Sequence, residues 1–340
     1  MARKTKQPTH DSFPGLFDDF EVELPKEKLP IFPDIASHAE KLKAEEQSAI
    51  NDPIKQQQDV AKMLFFSLGS GSSGNCSYIG TYKSGFLIDA GVDMKKVLDG
   101  LKTNNIPIEA VKGICLTHDH GDHIRYAYAI LKKYRHISLY WTSRVLNGIL
   151  RRHNVSRFIK NYHKPIYKEI TFNIDDFAIT AFDVMHDGTD NMGFFIESGN
   201  HRFAIATDLG CISPRVDFYM RQADYIMIES NYDKEMLTNG SYPEYLKARI
   251  IADNGHLDNT VAAQFIADCY TPKLKYVFLC HLSNDNNTPD IATREVSTAL
   301  RAKGATVGDG TGSITSRQAD IQLVALPRYD TSPLYIFRKD

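Results

Sequence analysis

The chain has 340 residues, 42% of them hydrophobic and 24% charged, with a formal net charge of −2. That is the profile of a globular protein with one large domain and an appendage, and it excludes an all-over cationic coat for nucleic acid. No apolar run approaches the roughly 20 residues of a membrane span, and the start, Met1-Ala2-Arg3-Lys4-Thr5-Lys6, leads into no apolar secretion signal.

Residues 1–62 differ in kind from the rest. Pro8, Pro14, Pro25, Pro30 and Pro33 break the first half, whereas Ile35 to Ile50 has the Ala, Glu, Lys and Leu content of a short helix. Phe13, Leu16, Phe17 and Phe20 fall at i, i+3, i+4 and i+7, one apolar helical face that could dock a protein partner, pack on its own domain or stay mostly disordered.

From Met63 the pattern becomes strand, turn, strand: Met63 to Leu68, Tyr78 to Gly80, and Gly85 to Asp89. The intervening Gly69-Ser70-Gly71-Ser72-Ser73-Gly74 matches a dinucleotide fingerprint literally. However, Asn75 to Gly80 reads as strand and turn where that fingerprint needs a helix, so a tight glycine loop is expected. A helix is expected from Met94 to Leu101.

An apolar run then ends in Thr117-His118-Asp119-His120-Gly121-Asp122-His123, three imidazoles and two carboxylates within six residues. Mixed nitrogen and oxygen donors suit zinc, iron or manganese at a catalytic site. Helical pattern follows from His123 to Tyr134. Between Arg125 and Lys168 stand eleven Lys or Arg residues, including Arg151, Arg152 and Lys160, and no Asp or Glu. Tyrosines, Trp141 and Phe158 are interleaved, so the segment could bind backbone phosphates and stack unpaired bases, or form a solvated face over core aromatics.

The strand-end pattern recurs. Phe86 to Ile88 ends in Asp89, Ile179 to Met185 in His186, and Phe203 to Thr207 in Asp208. Tyr225 to Ile228 ends in Glu229, and Tyr276 to Cys280 in His281. Short apolar runs of this length read as buried strands, and strands that deliver polar groups to one rim build sites on α/β scaffolds. His256 stands apart, in a turn before a helix (Asn259 to Tyr270, cap candidates Asp258 and Asn259). Strand-like pieces at Ile321–Ala325 and Leu334–Phe337 close the chain. The five cysteines, Cys76, Cys115, Cys211, Cys269 and Cys280, lie mostly in apolar runs, as in a reduced, cytoplasmic protein.

His118-x-His120-x-Asp122-His123, followed by His186, Asp208 and His281, resembles the metallo-β-lactamase superfamily. Five further motifs look like its YycJ/WalJ-like subfamily: Ser67-Leu68-Gly69-Ser70-Gly71-Ser72-Ser73-Gly74-Asn75, Thr207-Asp208-Leu209-Gly210, Glu229-Ser230-Asn231-Tyr232-Asp233, Gly255-His256-Leu257-Asp258-Asn259, and His281 to Asn287. The likeness covers Met63 to the C-terminus, with Gly121 a local departure where a small Ala or Ser is expected. It implies an α+β, four-layer α/β/β/α sandwich over 63–340 behind an N-terminal extension, and a DNA exonuclease activity.

The resemblance also implies the roles. His118, His120 and His186 would hold one divalent ion, Zn or Mn; Asp122, His123 and His281 would hold a second, and Asp208 would bridge them. The pair would activate a shared water as hydroxide against phosphorus. Asp89 would orient a ligand histidine. His256, Asp122 and Glu229 are the candidate catalytic groups, with His256 a proton donor that Glu229 could support. Arg151, Arg152, Lys160 and Asn287 are candidate substrate contacts; Asn231, Ser283 and Asn287 could equally order loops. Alternatives are hydrolysis of cyclic nucleotides or other small phosphodiesters, or of a small ester or thioester by the same metals.

Overall fold

The computed structural model describes residues 62–338; the apolar face of Phe13, Leu16, Phe17 and Phe20 and the helix expected over Ile35 to Ile50 lie outside them. Seven strands form one mixed sheet: β1 (Met63–Gly69), β2 (Cys76–Gly80), β3 (Gly85–Ile88), β4 (Val111–Cys115), β5 (Ser138–Trp141), β6 (His163–Pro165) and β15 (Tyr335–Phe337), with β15 on the outer edge of β1. Eight form the second: β7 (Phe172–Ile174), β8 (Phe177–Asp183), β9 (Met192–Ser198), β10 (His201–Ala206), β11 (Tyr225–Glu229), β12 (Tyr276–Cys280), β13 (Val307–Gly308) and β14 (Ile321–Ala325).

The sheets face each other across an aromatic core. Phe65 of β1 meets Phe203 and Phe278 of the other sheet at ring-centroid distances of 5.0 and 4.6 Å. Its neighbour Phe66 faces the opposite way, towards the helix α1 (Met94–Thr103). Strands covered on both faces read as unbroken apolar runs, as β1 does. Helices α5 (Pro214–Met220), α8 (Asn259–Cys269) and α9 (Pro289–Ala302) cover the second sheet through Val216, Ile266, Val296 and Leu300. This is the expected four-layer α/β/β/α sandwich. Truncating Phe65 to Ala would cost roughly 3–5 kcal/mol, since it seals the inner layer.

The expected helix from His123 to Tyr134 is two, α2 (Gly121–Ile124) and α3 (Ala127–Lys133). The break has a cause: Tyr126 N–H donates to the Ala90 carbonyl, 2.9 Å, instead of continuing the helical ladder. The glycine loop runs into strand β2, as its residues predict, and α8 starts on Asp258, which accepts from Thr260 and Val261 N–H.

Helix α4 (Ser143–Arg152) lies after β5. Between β11 and α8, α6 (Lys234–Asn239) and α7 (Glu244–Ile251) form a small cap, with Leu237 and Ile250 packed on Tyr232. The last short helix, α10 (Ile314–Arg317), precedes β14. No helix among the described residues is long and apolar enough to cross a membrane.

Candidate metal centre

Parallel pairing decides where the polar residues meet. β3 runs parallel to β4, and β10 to β11 to β12, so the residues after their C-terminal ends share one rim. Asp89, Asp208 and His281 each sit directly after or within two residues of such an end, with φ of 61°, 40° and 52°. L-residues pay on the order of 1–3 kcal/mol for that left-handed conformation, which persists only where the surroundings impose it. These are three of the six non-glycine positions with positive φ among the described residues.

Two ligand-type sets result. In the first, His118 Nε2 lies 3.0 Å from His120 Nδ1, and His186 Nε2 lies 3.3 Å from that same nitrogen. In the second, Asp122 Oδ2 lies 3.6 Å from both His123 Nε2 and His281 Nε2. Asp208 stands between them: Oδ2 is 3.1 Å from His123 Nε2, and Oδ1 is 3.9 Å from His186 Nε2.

The rear nitrogens are tied to acceptors. His123 Nδ1 faces Asp89 Oδ2 at 2.7 Å and His281 Nδ1 faces Glu229 Oε1 at 2.8 Å. Carboxylates only accept, so both Nδ1 atoms carry the proton and donate it. His186 Nδ1 donates to the Gly255 carbonyl, 2.9 Å. The Thr117 hydroxyl donates to Asp89 and can accept from His118 Nδ1, 3.0 Å. With their rear nitrogens engaged, the rings turn their opposite nitrogens towards one another. Asp208 Oδ2 and His281 Nε2 are buried without a hydrogen-bond partner. Converging ring nitrogens and buried polar atoms left without a partner fit a divalent cation between them, and each set offers ligand atoms within 4.8 Å of one another.

The charges agree. Burial pushes the Asp208 carboxyl up, but His281 and His123 outweigh it and hold the group well below its usual range. Burial lowers His281, yet Asp208, Asp122 and Glu229 together raise it to about 10. Protons therefore occupy positions that cations could take.

His256 lies at the edge of this cluster. Its Nδ1 meets Glu229 Oε1 at 2.8 Å, the support that the sequence suggests. Burial depresses its proton affinity, but Glu229 more than compensates, so its pKa is raised.

Glu229, expected among the catalytic groups, sits behind them: it is fully buried and also accepts from Leu209 and Leu257 N–H at 2.9 and 3.2 Å. It holds other side chains and has no lone pair free for substrate. Asn287 is likewise no substrate contact. It is buried, its amide donates to the Ser230 and Asn231 carbonyls at 2.9 and 3.0 Å, and it pairs with Asn259. Asn231 donates to the His281 carbonyl, 2.7 Å.

The basic segment divides. Arg151 and Lys160 line a surface depression of about 560 Å³ together with Arg144 and Arg157. Arg152 is not among the lining residues and stands 3.6 Å from Asp119, and Lys168 is held by Asp183 and Asp190. Of the interleaved aromatics, Tyr140 and Trp141 are buried in the core and Tyr128, Tyr134 and Tyr162 pack half-buried against it, whereas Phe158 and Tyr167 are exposed. Thr189, on the rim of the depression, hydrogen-bonds Asp119 of the His118–His120 loop through N–H and Oγ1, 2.8 and 2.5 Å.

Sequence reading missed several neighbours. A separate cleft of about 200 Å³ beside His186, His256 and His281 is also lined by Ser72, Asp187, Tyr242 and Arg249. Asn75 donates to Asp122 Oδ2, 3.3 Å, and Ser70 Oγ accepts from His281 N–H, 2.9 Å, so the glycine loop braces the second set. The abrupt glycine loop was the available signal for those two; Arg249 had none.

Residues 85–281 match the model of the Beta-lactamase superfamily domain. The chain is 35% identical over 253 residues to the exodeoxyribonuclease YycJ of Bacillus anthracis, covering 72% of this chain and 92% of that one. It is 32% identical over 269 residues to the exodeoxyribonuclease WalJ of Streptococcus pneumoniae, covering 78% and 93%. Among solved structures, the metallo-β-lactamase fold protein YhfI from Bacillus subtilis superposes with a TM-score of 0.58 at 14% identity, over 81% of this chain and 99% of that one.

Proposed function

The chain belongs to the beta-lactamase superfamily, in its YycJ/WalJ-like branch, and is a metal-dependent hydrolase; on that premise we propose that it is a DNA exonuclease working with two divalent ions, Zn or Mn. The observation that carries the reading is the basic depression bordering the His118–His120 loop, because phosphate backbones are drawn to clustered Arg and Lys. Two relatives that the chain covers almost entirely are named as exodeoxyribonucleases.

His118, His120 and His186 would hold one ion, Asp122, His123 and His281 the other, with Asp208 shared. When bound, such ions supply an activated water near neutral pH and positive charge for the phosphoryl oxygens. The remaining work belongs to the chain. Asp89 and Glu229 fix the tautomers of His123 and His281. His256 keeps a proton through Glu229 and lines the cleft, so its Nε2 is placed to donate to a phosphate oxygen or a leaving alkoxide. Arg144, Arg151, Arg157 and Lys160 would hold the polymer. The N-terminal 62 residues are a separate extension in this reading, and a cytoplasmic setting fits the five free thiols.

A digestion panel tests the proposal: end-labelled single- and double-stranded DNA, RNA, cyclic nucleotides and a chromogenic lactam, each with and without Mn or Zn. Metal-dependent release of nucleotides from DNA ends is expected. Turnover confined to cyclic nucleotides or the lactam would replace the nuclease with one of those hydrolases.

A further inference from the structure

Of the five histidines in the two sets, four have a partner on the ring nitrogen facing away: Thr117, Asp89, Gly255 and Glu229. His120 is the fifth. Its Nδ1 faces His118 and His186, which makes Nε2 its rear atom, and what meets that atom is Asp187 Oδ1 at 3.2 Å. We propose that Asp187 positions His120 for the first ion and that Arg249, on the cap helix α7, holds Asp187 in place. The inference rests on the reading of His118, His120 and His186 as a metal site.

The carboxylate divides its oxygens between two tasks. Oδ2 accepts from Arg249 Nε and Nη2 at 2.9 and 2.7 Å. Oδ1 is buried and makes no hydrogen bond as the carboxylate stands, so its lone pairs remain for the imidazole. A ligand histidine needs such a partner because a free ring loses both its tautomer and its orientation. Arg249 arrives from 62 residues further along the chain, and it is 58% exposed on the wall of the cleft beside His256. One guanidinium thus touches both the support of the first ion and the space a substrate enters.

Oδ1 also lies 3.4 Å from His186 Nε2, a nitrogen facing the cluster, so direct ligation is the competing role and the experiment must separate the two. Metal-stripped protein is titrated with Mn²⁺, followed by calorimetry and by the electron paramagnetic resonance of free Mn²⁺. Asp187→Asn keeps an oxygen that can accept from Nε2–H and should retain the first ion within a few-fold. Asp187→Ala should weaken it by roughly 10–100-fold, the usual effect of losing such an outer partner.

Arg249→Ala should produce a smaller loss of the same ion, partly recovered in Arg249→Lys. These two variants carry the test if Asp187→Ala does not fold. Wild-type affinity in both Asp187→Ala and Arg249→Ala would overturn the inference. Equal losses in the Asn and Ala variants of Asp187 would overturn it in favour of direct ligation. A wild-type protein with no Mn²⁺ bound, and no change on mutating His118, would instead defeat the metal-site reading itself.

Discussion

Glu229→Gln is the most informative single change, because it removes one charge and almost no volume. Oε1 accepts from His256 Nδ1, His281 Nδ1 and Asn231 Nδ2, and Oε2 from the backbone of Leu209 and Leu257. A glutamine must aim its NH2 at one of those groups of donors. In the milder orientation it faces the two backbone N–H groups, loses both bonds and weakens the other three, which no longer end on a charge. Removing one charge from a buried ionic network costs about 3–5 kcal/mol, so a loss of that order is expected. That corresponds to a fall in Tm of roughly 5–10 °C. With His281 no longer oriented, the second ion should bind about 10–100-fold more weakly. Scanning calorimetry of chelated protein and Mn²⁺ titration of the stripped protein read the two effects separately. Unchanged Tm and unchanged metal affinity in Glu229→Gln would refute the view that this carboxylate supports the site.

Four other outcomes follow from the same geometry. Asp208→Ala should lose metal occupancy and phosphodiesterase activity together in elemental analysis, and a fully active variant holding one ion would exclude a shared ligand. His256→Ala should keep its metal content while turnover falls by roughly 10²–10⁴-fold, the range of a general acid; metal loss would make it a ligand instead. Charge reversal at Arg151 and Lys160 should raise the apparent KM for long DNA and flatten its salt dependence while sparing a small chromogenic phosphodiester; equal loss of both activities would mark the depression as structural. Metal loading should depend on pH: His281, held protonated up to about 10 by Asp208, Asp122 and Glu229 against its burial, must shed its proton to bind. Affinity should therefore rise with pH, with proton release seen by calorimetry in buffers of different ionisation heat, and pH-independent binding would contradict the charge arrangement.

The strands and the residues at their ends were legible in the sequence because both are local properties. An apolar run of four to seven residues that stops at Asp, Glu or His names a buried strand and its polar terminus together, as at Ile88-Asp89 and Cys280-His281. Parallel pairing then gathers those ends without further instruction. Pairings across long separations had no such signature. The backbone donors of Leu209 and Leu257 to Glu229, the closed amide pair of Asn259 and Asn287, and the reach of Arg249 to Asp187 depend on which groups face each other across 20 to 62 residues. The basic segment shows the same division. Its charges were plain in the chain, but only packing decided that Tyr140 and Trp141 serve the core, that Arg152 answers Asp119, and that Arg144 and Arg157 join Arg151 and Lys160. Composition and period specify which residue types stand on an element and where it ends; what each polar atom finally meets is set by the close packing of elements remote in sequence.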